Sequence, residues 1–299
     1  MSTNHPQRQV DAALAAELHK PLPTGRTIFN SGMTAIAFAL TGLALLPLAA
    51  ILFEILRQGI PNLKPEVFVS LPAPAGLEGV PNGFANAIFG TLIMVGIASL
   101  ISIPFGVMTG IFLSEFAQGT ASGNFVRFIT TVLTGVPSII AGVFAYGVIV
   151  LATKEFSAIA GGFALSILML PVVALTTEQA LRLVPTHQRL GSAALGASRL
   201  QTTFRVVVAA AIPAVTTGIL LALARAAGET APLLFTALNS QVWPQGLFSP
   251  TPSLPVLIFN YASSPFTEQN QLAWTASVVL VGLVLCISIL SRLVTRKRL

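Results

Sequence analysis

Arg225 and Glu229 stand four residues apart in a stretch, Leu220 to Ala237, that carries no other charge. The surrounding apolar run begins near Val206, so the pair sits inside a segment long enough to enter a bilayer. A charged side chain at bilayer depth costs about 2.5–3.5 kcal/mol on insertion scales and usually faces a partner or a polar path. In a helix, residues at this spacing meet on one face. Two chemistries fit. One is a structural ion pair, each charge offsetting the other's insertion cost. The other is a cationic station for an anion.

The rest of the chain must supply elements that hold such a pair in a membrane. Of 299 residues, 54% are hydrophobic and 9% charged, and the mean hydropathy is +0.83. A soluble domain carries about 25% charged residues. The fold class expected is therefore an all-α polytopic membrane protein. The 24 Gly and 20 Pro suit helices that pack closely and in places break. The single cysteine, Cys286, has no partner for an internal disulfide and reads as a small buried apolar residue.

Apolar runs of spanning length occur at about Ile28–Leu56, Ala85–Leu113, Phe128–Ala152, Phe156–Leu175, Val206–Leu238 and Leu272–Leu290. They predict six transmembrane helices within residues 28–291, between a tail at 1–27 and a basic tail at 292–299. The polar, mixed-charge first twenty-odd residues do not read as a signal peptide. The formal charge of +6 is not a nucleic-acid signature, because the cations gather in short connections rather than in a patch interleaved with aromatics. Of the 16 Lys and Arg, twelve fall in segments assigned to the cytoplasm and three (Arg57, Lys64, Lys154) outside, with Arg225 in a span. That bias places both termini in the cytoplasm. Two external segments are long: Gln58–Gly83, rich in Pro and Gly, and about 239–271, whose mixture of apolar residues and turn formers suits an interfacial or re-entrant element.

Other features carry less chemistry. No Gly-Lys dipeptide exists, which excludes a P-loop; any ATP hydrolysis belongs to a partner and no cofactor is expected on this chain. His5, His19 and His187 lack metal-ligand spacing, so no metal site is expected. Asp11 is the only Asp, and an enzyme reading is poor. Pro137, with Gly135 and Ser138, falls inside the third run. A proline there frees the Leu133 carbonyl and kinks the helix. It is either a hinge or lining that exposes the Thr134 and Ser138 hydroxyls, or a plain kink. Pro213 and Pro232 imply that the fifth run bends or that only its middle spans. Gly106 and Gly110 have the spacing of a close helix contact, read as internal to the chain.

Between the fourth and fifth runs lies a segment, about 178–205, whose part from Pro185 to Arg205 reads as two short amphipathic helices. Pro185 suits a first helical turn, and Gly196 a helix end. Gly191-Ser-Ala-Ala194 offers a small-residue surface for a partner, or else the pair simply braces the bundle. Here the pattern Val-Pro-x3-Arg-x6-Gly from Val184 to Gly196 resembles the coupling loop of ABC importer permeases. It departs from that motif at Leu190, where a Glu is usual, at Gly191 and Ser192, where two Ala are usual, and at Ala209 in place of Pro.

Three further segments resemble the PstA-type permeases of phosphate importers: Gly135-Val-Pro-Ser-Ile-Ile, Ala224-Arg-Ala-Ala-Gly-Glu-Thr-Ala-Pro-Leu, and Ser253-Leu-Pro-Val-Leu-Ile-Phe-Asn-Tyr with Gln271-Leu-Ala-Trp274. The resemblance implies a six-helix type I importer (MetI-like) fold in a bacterial inner membrane. It also implies a heterodimer with a PstC-type permease, a PstB-type ATPase homodimer, and a phosphate-binding protein outside. Pro185, Arg189, Ala193, Ala194, Gly196, Ala197 and Ser198 would then carry coupling to the ATPase. Arg225, Glu229, Thr230, Ser138 and Thr134 would line the substrate path, with Pro137 and Pro213 as hinges. The planar fork of Arg225 matches phosphate oxygens, and Glu229 would weaken the grip and accept a hydrogen bond from hydrogen phosphate. Another oxyanion (phosphonate, sulfate, molybdate) and a phosphate sensor without transport remain as alternative readings.

Overall fold

The computed structural model describes residues 24–76 and 80–296. The chain divides after Glu54 into two units. Helix α1 (Thr24–Gly59) begins in the first, where its residues up to Phe53 are exposed on every side although most are apolar. A helix apolar all round belongs in a membrane or a large core.

The second unit is built of helices α2 (Ala85–Ile111), α3 (Ala121–Thr134), α4 (Ser138–Ala145), α5 (Ala158–Arg182), α6 (Thr186–Ala194), α7 (Arg199–Thr202), α8 (Val208–Ala227), α9 (Ala231–Leu234), α10 (Leu254–Ala262) and α11 (Thr267–Arg296). Widened π turns extend α2 (Phe112–Phe116) and α4 (Tyr146–Val150) and join α7 to α8 (Thr203–Val207). Among the described residues five helical stretches are long and apolar enough to cross a membrane, or six if α3 and the α4 stretch count as one bent span.

Helices α2 and α5 form the centre, run parallel and approach closely, because glycines remove the side chains between them. Gly106 lies against Val173, Gly110 against Thr177, and Gly162 against Ile97. The Gly106/Gly110 spacing therefore serves an internal contact. Helix α8 packs antiparallel on α5, with Gly218 against Thr176. The middle of the core is apolar and includes Met94, Leu165, Met169, Val173, Ala222 and Ala226.

The two ends of this bundle differ. One carries the α6–α7 hairpin. At the other, Ser157 N–H donates to Thr236 O at 2.9 Å, and the fully buried Asn86 donates to Ser240 O at 3.0 Å and Val242 O at 3.2 Å. Leu254 N–H donates to Thr91 Oγ1 at 2.9 Å, starting α10, whose Leu254, Val256 and Leu257 are buried in the bundle.

Several expectations change. The third run is two helices rather than one kinked span: α3 ends at Thr134, α4 starts at Ser138, and the two meet at 102°. Pro137 cannot donate to Leu133 O, and the residue before a proline avoids helical backbone. Val136 N–H takes the Leu133 carbonyl at 3.3 Å, and Pro137 becomes the cap of α4. The fourth span continues to Arg182, beyond its apolar run, because Glu178 and Arg182 pair one turn apart at its end. The fifth run ends as a helix at Ala227, with Pro213 inside it. Cys286 is exposed on α11 rather than buried.

Candidate functional site

Helix α8 ends at Ala227, one residue before Gly228, whose N–H donates to Arg225 O at 3.1 Å; Glu229 N–H donates to Ala226 O at 3.2 Å. This tight turn carries Glu229 back over the last turn of the helix. Arg225 Nε lies 3.4 Å from Glu229 Oε1, with the arginine side chain 55% exposed and the glutamate 17%. Among the described residues, only Nε of the guanidinium has a partner, Glu229. Both terminal amino groups, which carry four of its five N–H donors, are left to whatever faces the helix.

The depth of the pair follows from its neighbours. Arg225 and Glu229 border the same crevice as Leu168, Met169 and Val172. Met169 lies near the middle of the 25-residue helix α5. Arg225 is therefore at mid-height of the bundle. It also belongs to an exposed stripe on α8 with Ala210, Ala214, Thr217 and Leu221. Apart from Leu221, that stripe is small-sided up to the arginine. A helix packing there could approach closely.

The other expected path residues lie on α3, α4 and the turn before α9. Half-buried Thr230 precedes α9, and its carbonyl accepts from Leu233 and Leu234 N–H. Gly142 of α4 lies against Pro232 of α9, close enough that a Cβ would stand 2.6 Å from Pro232 Cα. Ser138 is one turn back along α4 from that contact and half-buried. Thr134 is exposed on α3, and its hydroxyl donates to Thr131 O at 2.6 Å. No hydrogen bond joins Ser138 or Thr134 to Arg225 or Glu229.

At the hairpin end, Pro185 caps α6 and Gly196 ends the turn after it with φ +81°. Gly196 N–H donates to Ala193 O at 3.0 Å and Ala197 N–H to Ser192 O at 3.2 Å. This satisfies the carbonyls at the helix end. Ser198 and Gln201 then form a reciprocal capping box that starts α7. No residue from Pro185 to Thr202 is buried; Ala193 and Ala194 are exposed, and so are the large apolar side chains of Leu190 (65%) and Leu195 (90%).

Arg189 does not point outward with them. Its Nη2 lies 2.9 Å from Glu115 Oε1 and donates to Leu181 O at 2.8 Å, while Nη1 donates to Val184 O. All three guanidinium nitrogens are engaged within the chain, and 23% of the side chain stays exposed.

Sequence reasoning missed the acids that organise this end. Glu178, with its side chain 5% exposed, lies 2.7 Å from both Arg127 and Arg182. Glu115 receives Arg189 on its carboxylate and Arg199 on its backbone carbonyl. The four-residue spacing of Glu178 and Arg182 was a readable signal; nothing in the sequence singled out Glu115. Exposed His187 has no ligand set around it, and no cluster able to hold a metal occurs among the described residues. His5 and His19 lie outside the described residues.

Comparison with known proteins agrees with this architecture. Residues 102–299 match the family described as binding-protein-dependent transport system inner membrane component. The phosphate transport system permease protein PstA of Haemophilus influenzae is 40% identical over 90% of this chain and 94% of its own length. The probable phosphate transport system permease protein PstA of Methanocaldococcus jannaschii is 36% identical over 88% of this chain and 92% of its own.

Among solved structures, a chain of the bacterial alginate ABC transporter in complex with its alginate-bound periplasmic protein superposes with a TM-score of 0.65. It is 12% identical and covers 92% of this chain and 97% of that one. A chain of the inward-facing MetNI methionine ABC transporter gives 0.58 at 20% identity, over 71% and 94%. The fold is that of ABC importer permeases. The chain belongs to the binding-protein-dependent inner membrane transport components and, within them, to the PstA permeases.

Proposed function

We propose that this chain is the permease subunit of an ATP-driven phosphate importer and forms half of the translocation path with a second permease, of the PstC type. The observation that carries the reading is Arg225: a half-exposed guanidinium at mid-height, with both terminal amino groups unengaged among the described residues. Facing lipid, it would cost about 2.5–3.5 kcal/mol. Facing a shared path, it offers phosphate a planar fork of donors. Glu229 tempers that attraction, as a carrier that must release its cargo requires, and Thr230 follows it directly in the chain. The names of the relatives support phosphate over other oxyanions.

The α6–α7 hairpin is the surface for the ATPase, a PstB-type homodimer that supplies the hydrolysis this chain lacks. Exposed Leu190 and Leu195 give that contact an apolar character where the family motif is acidic. By the distribution of Lys and Arg, the hairpin end and both termini are cytoplasmic, and a phosphate-binding protein meets the opposite end. Reconstitution of the four-component complex in proteoliposomes tests this. The expected result is phosphate uptake that requires ATP on the hairpin side. Uptake of sulfate or molybdate instead, or binding protein and ATPase activity without flux, would contradict it.

A further inference from the structure

The hairpin that meets the ATPase is attached to the bundle in an unusual way. Between Pro185 and Thr202 it buries no side chain, so apolar packing does not fix its position. A pair of arginines, one from each short helix, reaches back to a single π turn at the end of α2. Arg189 from α6 takes the Glu115 carboxylate through Nη2 at 2.9 Å and Nε at 3.4 Å. Arg199 from α7 donates to the Glu115 backbone carbonyl and lies 5.2 Å from the centre of the Phe116 ring. Ser192 and Thr202 join the two helices through their hydroxyls at 2.9 Å.

The Glu115 side chain is only 10% exposed and also accepts from Ser114 Oγ at 3.0 Å. A paired carboxylate this sheltered holds its partner more firmly than an exposed one would. The π turn explains why it can do so. By widening the last turn of α2, it carries Glu115 into register with both hairpin helices, a common role for such turns at functional sites.

We propose that Glu115 is a positioning residue for energy coupling: it clamps the α6–α7 hairpin to α2, so that hairpin and helix move as one body. This rests on the reading of the hairpin as the ATPase contact. Motion imposed on the hairpin would then enter α2, which is locked to α5 through Gly106 and Gly110. The same α5 lines the crevice beside Arg225 through Leu168 and Met169. Without the Glu115 carboxylate, the hairpin would still fold on its own caps and still dock. Arg199 would keep its hold on the Glu115 backbone carbonyl and Phe116, but α6 would lose its tie to α2, so motion of the hairpin would reach the helix less completely.

The test uses the full complex in proteoliposomes, in a Cys286→Ser background because that cysteine is exposed. Glu115→Gln should co-purify with the ATPase at the parent yield and keep basal ATP hydrolysis. The phosphate imported per ATP hydrolysed should fall about tenfold, within the usual range for a lost coupling between sites. A Glu115→Cys/Arg189→Cys pair should be equally uncoupled when reduced and regain at least half of the parent ratio when bridged by a short reversible thiol cross-linker.

A coupling ratio in Glu115→Gln within twofold of the parent would overturn the clamp. So would a bridged pair that stays uncoupled, or losses that merely track complex yield. Absence of phosphate uptake by the unmodified complex would instead overturn the functional reading, and the proposal with it.

Discussion

The Glu178 carboxylate on α5 lies 2.7 Å from the Arg127 guanidinium on α3, across 51 positions of chain. The same oxygen takes Arg182 at 2.7 Å, so one sheltered acid neutralises two partly exposed cations. This contact anchors the α3 arm to the bundle. Removing the acid leaves two arginines facing each other with no counter-ion. Glu178→Ala should therefore cost about 1.5–3 kcal/mol, the range for losing hydrogen bonds to a charged group, since the two arginines left behind are partly exposed. Arg127→Gln should cost clearly less, because Glu178 keeps Arg182. Thermal unfolding of the purified complex in detergent checks the order; equal losses would show that the anchor does not depend on the acid.

Gly196 adopts φ +81°, whereas Gly191 has an ordinary backbone and open space around its Cβ position. A side chain in the left-handed region costs about 1–2 kcal/mol. Gly196→Ala should distort the hairpin and reduce the ATPase recovered with the complex. Gly191→Ala places the family's usual residue on a helix and should leave recovery unchanged. Quantitative co-purification distinguishes the two.

Close packing of α2 on α5 yields a third prediction. A Cβ at Gly110 would stand 2.5 Å from Thr177 Cβ, while one at Gly96 meets nothing within 4 Å. Gly110→Ala forces the helices apart and should destabilise by about 1–3 kcal/mol, the usual cost of overpacking. Gly96→Ala should be neutral or slightly stabilising. Unfolding temperatures of the two variants decide it.

Much of this is legible in the sequence. Apolar runs give the spans because a bilayer sets their length. Pro185, Gly196 and the residues between them give the hairpin because caps and turns are local chemistry. What stayed hidden is non-local. Glu115 and Glu178 are ordinary acids in the sequence and acquire meaning only through partners 74 and 51 positions away. The break at Pro137 is intermediate: the proline is plain, but whether a helix bends or stops depends on what its two halves pack against. Gly142 on Pro232 holds the second half, and Arg127 on Glu178 holds the first. Arg225 is readable as a charge deep in a span, and the antiparallel packing of α8 on α5 sets it at mid-height beside Met169.

That break is open to direct test. With Pro137→Ala, residue 137 regains an N–H able to reach Leu133 O, and α3 and α4 can merge into one helix. Spin labels at exposed Phe128 and Val148 should then separate toward about 30 Å, the length of that much continuous helix. Uptake should fall with the complex still assembled. An unchanged label distance would show that packing, rather than the proline, imposes the 102° bend.

Phosphate uptake by Arg225→Gln in the reconstituted complex shows whether Arg225 contacts the transported anion. Glutamine keeps polarity and bulk but loses the charge and the fork. Uptake should fall about 100-fold, the size of losing a hydrogen bond to a charged group at the point of passage, with subunit yield unchanged. Undiminished uptake would contradict the account, and a complex that fails to assemble would show instead that Arg225 and Glu229 are only a structural pair.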